Sequence, residues 1–369
     1  MSNLSPSLRF KEFKDEWTKC NLSDVFSLHY GKDHKHLSEG RFPALGSGGV
    51  MRYVNSYLYD KPSVLIGRKG TIDKPLFISE PFWTVDTLFY TKIKSNFIPY
   101  FAYSLAQTIN WKKYNEATGV PSLNTTGIYS VPITTPEFVE QQKIADFLTS
   151  VDTKISQLKE KHRLLKEYKK GVMQKIFSQK IRFKDEDGKA FPEWTHEPIG
   201  KYLEPHKELV GADTDIPILT SSRTGLYLQE RSVINEGDYG VVPLGYLTYR
   251  HMSDDLIFKF NVNRTWEKGA VSKEYPVFKT VGMDTYFLET QLNEGNDFKR
   301  FAIQQKQGGT RTRLYFKNLK ELKLNLPCLK EQQRISLFLQ SIDTKVEGVA
   351  EQIEQTKQFK KGLLQQMFV

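Results

Sequence analysis

The sequence predicts an α+β fold: two mixed α/β globular parts in pseudo-twofold arrangement, joined by two long antiparallel helices that form a coiled-coil rod. Three observations lead there. The segment 140–155, EQQKIADFLTSVDTKI, returns at 331–346 as EQQRISLFLQSIDTKV, with ten of sixteen positions identical and an offset of 191 residues. Each copy of that segment runs into a heptad pattern of apolar residues. A length of 369 residues, 39% of them hydrophobic, suits two domains of ordinary size better than one.

A globular part comes first in each copy. Leu8-Arg9-Phe10-Lys11 resembles Ile181-Arg182-Phe183-Lys184, and Glu16-Trp17 resembles Glu193-Trp194, so the halves open alike. Segment 64–70 reads as a buried strand ending in a basic turn, 46–49 (GSGG) as a turn, and 102–111 as a helix. In the second copy 239–244 and 276–279 read as strands. The strand-like segments 131–134 and 322–325 then lead into Pro136 and Pro327, each a start signal for a helix.

In the first helix Leu148, Val151, Ile155, Leu158, His162 and Leu165 alternate spacings of three and four; Leu339, Ile342, Val346, Val349, Ile353 and Thr356 do so in the second. The strict seam next lands on Lys169 and Lys360. Contact is therefore expected to shift by one residue onto Tyr168 and Phe359, then to resume at Val172 and Ile176, or Leu363 and Met367. A helix of about 40 residues is about 60 Å long and cannot bury its stripe alone. Antiparallel packing of the two copies is the economical solution. The alternative is that each helix packs on its own globular part or on another protein. The expected boundaries are 1–135, 136–180, 181–326 and 327–369.

Charged residues make up 26% of the chain and no apolar run is long enough to span a bilayer, which argues against both a membrane protein and a disordered one. The beginning of the sequence lacks the layout of a signal peptide, so a cytoplasmic location is expected. Cys20 and Cys328 lie far apart, which offers neither a disulfide framework nor a thiolate metal cluster. The net charge of +10 divides into +5, +4, 0 and +1 over the four segments, an excess in the first half that suits a polyanion partner.

No catalytic constellation emerges. Gly31-Lys32 is followed by Asp33 and Gly200-Lys201 by Tyr202, so neither closes a phosphate-binding loop. The adjacent prolines of the adenine-methyltransferase motif that holds an extruded base are missing. His34 and His36 beside Asp33 have no third ligand nearby in the sequence and read as loop histidines. The run 185–189 (DEDGK) resembles a nuclease carboxylate-lysine cluster, but its place between the first helix and the second globular part reads as a solvated turn.

Basic side chains interleaved with aromatics and turn residues are what DNA recognition uses: Lys and Arg hold phosphates, and Arg, Lys, Asn and Gln read base edges. The candidate DNA-binding residues in the first copy are Lys32, Lys35, Arg41, Ser47, Arg68, Lys69 and Ser122. In the second they are Arg223, Arg231, Tyr246, Arg250, Arg264, Arg311 and Arg313, the last two following a pair of glycines that suits insertion into a groove. Any one of these stretches, taken alone, is more often ordinary solvated surface.

The two-copy layout, each copy ending in Pro-x-x-x-Glu-Gln-Gln-x-Ile and a heptad helix, with GVPSLN at 119–124 and GTRTRL at 309–314 just upstream, resembles the specificity subunit of type I restriction-modification enzymes. The resemblance covers the whole chain. It implies two target recognition domains, 1–135 and 181–326, joined by conserved helical regions 136–180 and 327–369, and no catalysis by this chain itself. It also implies double-stranded DNA and two modification subunits that use S-adenosylmethionine as partners, with up to two restriction subunits that use ATP and Mg. Two unlike domains on a rigid spacer should read two unlike half-sites across a gap of unread bases. Gln141, Asp146, Gln157 and Lys161, with Gln332 and Leu337 in the second copy, are candidates for the partner surface on exposed helix faces. A nuclease with a diverged site at Asp185 to Lys189, or a scaffold without nucleic acid, are the other readings.

Overall fold

Trp17, Phe26, Phe89, Phe101 and Trp111 are all but inaccessible and centre one apolar core; Tyr249, Phe260, Phe278 and Phe287 centre another. The computed structural model describes residues 5–230, 237–306 and 311–368. The cores belong to two compact units, one made of Met1–His162 with Gly348–Val369 and one of Arg163–Glu347.

The first unit runs through β1 (Thr18–Asn21), the single turn α1 (Leu22–Val25), β2 (Phe26–Tyr30), β3 (Glu39–Gly46), β4 (Gly49–Val54), β5 (Ser63–Gly67), β6 (Leu76–Ile78), β7 (Trp83–Thr84), β8 (Leu88–Ile93), α2 (Pro99–Thr108), α3 (Thr125–Tyr129) and β9 (Pro132–Thr135) into α4 (Phe138–Phe177). Strands in the order β2-β8-β5-β6 form its main antiparallel sheet, β4-β3-β7 a second, and β1 pairs with β9. β5 is buried along its whole length, as its unbroken apolar run requires.

The second unit repeats this plan. It contains β10 (Thr195–Pro198), β11 (Leu203–His206), β12 (Leu209–Val210), β13 (Leu219–Ser222), β14 (Gly225–Leu228), β15 (Tyr239–Pro243), β16 (Leu247–Tyr249), β17 (Met252–Ser253), β18 (Phe260–Val262), β19 (Lys268–Ser272), β20 (Val277–Thr280), α5 (Thr285–Glu294), α6 (Asn296–Gln304), β21 (Thr312–Arg313), α7 (Phe316–Leu319) and β22 (Lys323–Leu326), followed by α8 (Leu329–Met367). The sheet β11-β20-β16-β18 matches β2-β8-β5-β6, and β10 with β22 matches β1 with β9.

In each unit the beginning of one long helix packs with the end of the other. Ile144, Leu148, Val151 and Ile155 of α4 share the first core with Leu363 and Met367 of α8, and Phe368, just beyond α8, stacks at a tilt on Phe101 with centroids 5.4 Å apart. In the second core Ile335, Leu339 and Ile342 of α8 meet Met173 and Ile176 of α4, and Phe177 lies 6.1 Å from Phe287. Each helix tail is thus held by the globular part of the other sequence copy. The compact units therefore cut across the four consecutive segments drawn from sequence.

The expected shift of the seam onto Tyr168 and Phe359 does not occur: both rings are more than half exposed, at 53% and 55%. Lys169 and Lys360 keep the seam positions. Each is neutralised by an aspartate, Lys169 by Asp343 at 2.5 Å and Lys360 by Asp152 at 2.7 Å. Periodicity alone counts a lysine as a break, but a cation tolerates partial burial when an anion meets it.

Paired carboxylates also anchor the helix starts. Arg9 makes a bidentate contact with the buried Glu140, at 2.7 Å on both arms, and Arg182 does the same with Glu331 at 2.9 and 3.0 Å. The Arg9 and Arg182 guanidinium groups are both held more firmly protonated than usual, chiefly by these hydrogen bonds.

Candidate nucleic-acid interface

One backbone arrangement recurs in both units and gathers most of the candidate DNA-binding residues. The amide of Leu123 donates to Arg68 O at 3.0 Å, just past β5, and the amide of Leu314 donates to His251 O at 2.8 Å, just past β16. Leu123 and Leu314 are related by the repeat offset. The same pairing sets Ser122 opposite Lys69 in the first unit and Arg313 opposite Met252 in the second. A two-residue hairpin turn completes the surface: Ser47-Gly48 closes between Gly46 and Gly49, and Arg223-Thr224 between Ser222 and Gly225. Gly49 and Gly225 re-enter the second strand at φ of +110° and +137°, where a Cβ is disfavoured.

In the first unit these pieces converge on the segment 84–87. Lys32 N donates to Thr84 O, and Arg68 N and Lys69 N both donate to Thr87 O. Ser47 N lies 3.4 Å from Thr87 Oγ1, and Lys35 lines a groove with Ser47, Met51, Asp86 and Thr87. The Arg68 guanidinium donates to Asp86 O at 3.1 Å and sits 5.4 Å from the Tyr30 ring centroid. One backbone carbonyl and an aromatic face thus aim this arginine, and no carboxylate pairs with it among the described residues. Arg41 does not join the group. It lies six residues from Ser47 at the far end of β3, about 20 Å along the strand, with its guanidinium 4.9 Å from the Phe42 centroid.

In the second unit Arg223 and Arg311 meet the adjacent carboxylates Asp255 and Asp254, at 2.7 and 3.0 Å. Arg313 and Arg250 flank His251, whose imidazole burial pushes below its usual range, with the two arginine charges adding to the effect and Glu274 opposing it. Tyr246 and Arg264 are elsewhere. Both lie at the other end of the β16–β18 pairing from Arg250, and Arg264 is bound to Glu289 in a cleft that includes Lys169, Tyr286 and Asp343. Arg231, and the glycine pair preceding Arg311, lie outside the described residues.

Of the partner-surface candidates, Asp146, Gln157, Lys161 and Leu337 are exposed. Gln141 and Gln332 are not: each is 3% exposed. Gln141 Oε1 accepts from Ile98 N and its Nε2 donates to Pro136 O; Gln332 Oε1 accepts from Asp284 N and its Nε2 donates to Pro327 O. They are struts between helix and globular part, which is why the repeat carries both. The cluster 185–189 forms a turn, with Gly188 N donating to Asp185 O at a positive φ. Among the described residues no group of three or more His, Cys, Asp or Glu is placed to hold a metal, and no helix is long and apolar enough to cross a membrane.

Sequence reasoning missed Tyr30, Met51 and Thr87 in the first surface and His251, Asp254 and Asp255 in the second. Tyr30 was legible as an aromatic beside Gly31-Lys32. The others become visible only once strands distant in sequence are paired.

A family model described as the type I restriction modification DNA specificity domain matches residues 14–167 and 277–358, more than half of the chain. The chain belongs to this family. It is therefore a specificity component of a type I restriction-modification system, concerned with DNA sequence recognition. It is 20% identical over 338 residues, 85% of this chain and 83% of the other, to a Haemophilus influenzae protein named as a type I restriction enzyme specificity subunit. Among solved structures it resembles the S subunit of a type I restriction-modification system from M. genitalium, with a TM-score of 0.66, 14% identity and 99% of each chain covered. That likeness shows the fold. The family match includes Arg68, Lys69, Ser122, Arg311 and Arg313 but not Arg223 or Arg250.

Proposed function

We propose that each unit reads one half of a bipartite, asymmetric DNA target and so directs adenine methylation, and with it restriction, to that sequence. The observation that carries this reading is the recurrent surface. The same three backbone segments present Ser47, Arg68, Lys69 and Ser122 in one unit and Arg223, Arg250, Arg311 and Arg313 in the other. Equal frames with unlike side chains should dock alike on duplex DNA and read different bases. Lys32 and Lys35 add phosphate contacts in the first unit. Asp146, Gln157, Lys161 and Leu337, exposed on the long helices, are offered to two modification subunits. Those subunits would supply S-adenosylmethionine chemistry, and two restriction subunits would supply ATP- and Mg-dependent translocation and cleavage in the cytoplasm.

The test is to express the chain with its modification partner in a methylation-free host and sequence the methylated adenines. One motif with two unlike halves and an unread gap is expected. Methylation without sequence preference, or a single undivided motif, overturns the proposal.

A further inference from the structure

Two carboxylates stand among the arginines of the second surface, where a phosphate-binding face gains nothing from negative charge. Asp254 Oδ1 accepts from Arg311 Nε at 3.0 Å, and Asp255 Oδ1 accepts from Arg223 Nη2 at 2.7 Å. The turn that carries them is built for the purpose. β17 pairs with β21 so that Ser253 faces Thr312, which brings the next residues, Asp254 and Arg311, side by side. Asp255 Oδ1 also lies 2.9 Å from Ser253 Oγ and accepts from Ile257 N at 3.2 Å, and Leu256 takes a φ of +64° to close the turn.

The fold itself does not ask for these acids. The corresponding stretch of the first unit, after Lys69, is Gly70-Thr71-Ile72, and the next acid, Asp73, faces Lys112 at 3.2 Å. Nor is stability the reason, because all four side chains are at least 46% exposed and such pairs contribute little. What a carboxylate does supply is orientation. Arginine is long and loses rotamer freedom on binding, and a planar guanidinium held at one nitrogen presents its remaining donors in a fixed fork. With Nε of Arg311 engaged, the terminal Nη1 and Nη2 donors are left as the pair that matches O6 and N7 of guanine.

We propose that Asp254 and Asp255 are specificity-positioning residues that brace Arg311 and Arg223 to read guanine in the half-site of the second unit. This rests on the bipartite reading proposed above. The side chains act through the arginines, so an aspartate and its arginine must govern the same base pair.

Methylated adenines would be mapped for the full chain co-expressed with its modification partner, as wild type, Asp254→Ala, Asp255→Ala, Arg311→Lys and Arg223→Lys. The wild-type motif should contain a G:C pair for each arginine, within one half only. Asp254→Ala and Arg311→Lys should relax the same one of these pairs by about tenfold or more, Asp255→Ala and Arg223→Lys the other, with the second half and the gap unchanged and thermal midpoints near wild type. The inference is overturned if the aspartate variants keep full selectivity, if aspartate and arginine variants relax different positions, or if neither half contains guanine. A wild-type map without a divided motif would instead overturn the bipartite reading itself.

Discussion

Lys360 Nζ lies 2.7 Å from Asp152 Oδ2 although 208 residues separate the two in the chain. Their repeat counterparts make the same contact in exchange: Lys169, counterpart of Lys360, meets Asp343, counterpart of Asp152, at 2.5 Å. A tyrosine completes each group, Tyr100 donating to Asp152 and Tyr286 to Asp343. One motif thus places a cation on a helix seam and the anion that answers it in the other copy, a polar seam pair of the kind that specifies register.

Lys360→Met should destabilise the first unit by about 1–2 kcal/mol, the range for a charge-assisted contact whose aspartate is about one third exposed. Lys169→Met should do likewise in the second unit. The exchanged variant, Asp152→Lys with Lys360→Asp, should recover most of the loss. Urea titrations followed by tryptophan fluorescence check this, and a double variant no better than the single ones would contradict it.

Burial first, and the aspartate hydrogen bond second, push Tyr100 and Tyr286 far above the ordinary tyrosine range. A group whose pKa is raised on folding contributes stability that is complete below its unfolded value, about 10 for tyrosine, and is lost as pH rises past it. Stability should therefore fall from about pH 10 upward, each such tyrosine adding up to about 1.4 kcal/mol per pH unit. Tyr100→Phe and Tyr286→Phe should flatten that fall. Denaturant midpoints measured from pH 8 to 11.5 would show it, and identical slopes in the variants would count against the assignment.

Glu331 is fully buried, so Arg182→Ala removes its bidentate cation and leaves the Trp194 indole, 3.0 Å away, as the one neutral donor to the carboxylate among the described residues. A loss of about 3–5 kcal/mol is expected. The corresponding indole in the first unit, Trp17 Nε1, is buried without a partner among the described residues, so Glu140 has no such support. Arg9→Ala should cost at least as much. Equal stability of wild type and either variant in chemical denaturation would refute this.

A Cβ on Gly67 would lie 2.1 Å from Thr71 O, so Gly67→Ala must displace the segment that carries Arg68 and Lys69. Together with Arg68→Ala and Lys69→Ala it should weaken one half-site and shallow the salt dependence of DNA binding, by about one unit of slope for each phosphate no longer held. Arg264→Ala, bound to Glu289 away from the second surface, should leave the methylation motif unchanged. Methylation mapping and salt-titrated binding of the complex decide both points.

The heptad seam was legible because apolar side chains at spacings of three and four must share one face of a helix: Leu148, Val151, Ile155 and Leu158 are all buried. The repeat read as two copies of one unit, and the structure shows that unit's main sheet twice, as β2-β8-β5-β6 and β11-β20-β16-β18. The fate of Lys169 and Lys360 was not legible, since the aspartates that neutralise them belong to the other copy. Arg41, Tyr246 and Arg264 were grouped with the other candidates on the interleaving of basic, aromatic and turn residues, a pattern blind to the end of a strand on which a side chain stands.

The amino acids alone, then, determined a doubled chain of mixed α/β parts and heptad helices and the family to which it belongs, because periodicity and duplication are properties of order along the chain. Which arginines share a surface, which glutamines are struts and which lysines sit on a seam was decided only in three dimensions. Those assignments depend on hydrogen bonds and ion pairs between residues tens to hundreds of positions apart, and no local pattern encodes a partner at that distance.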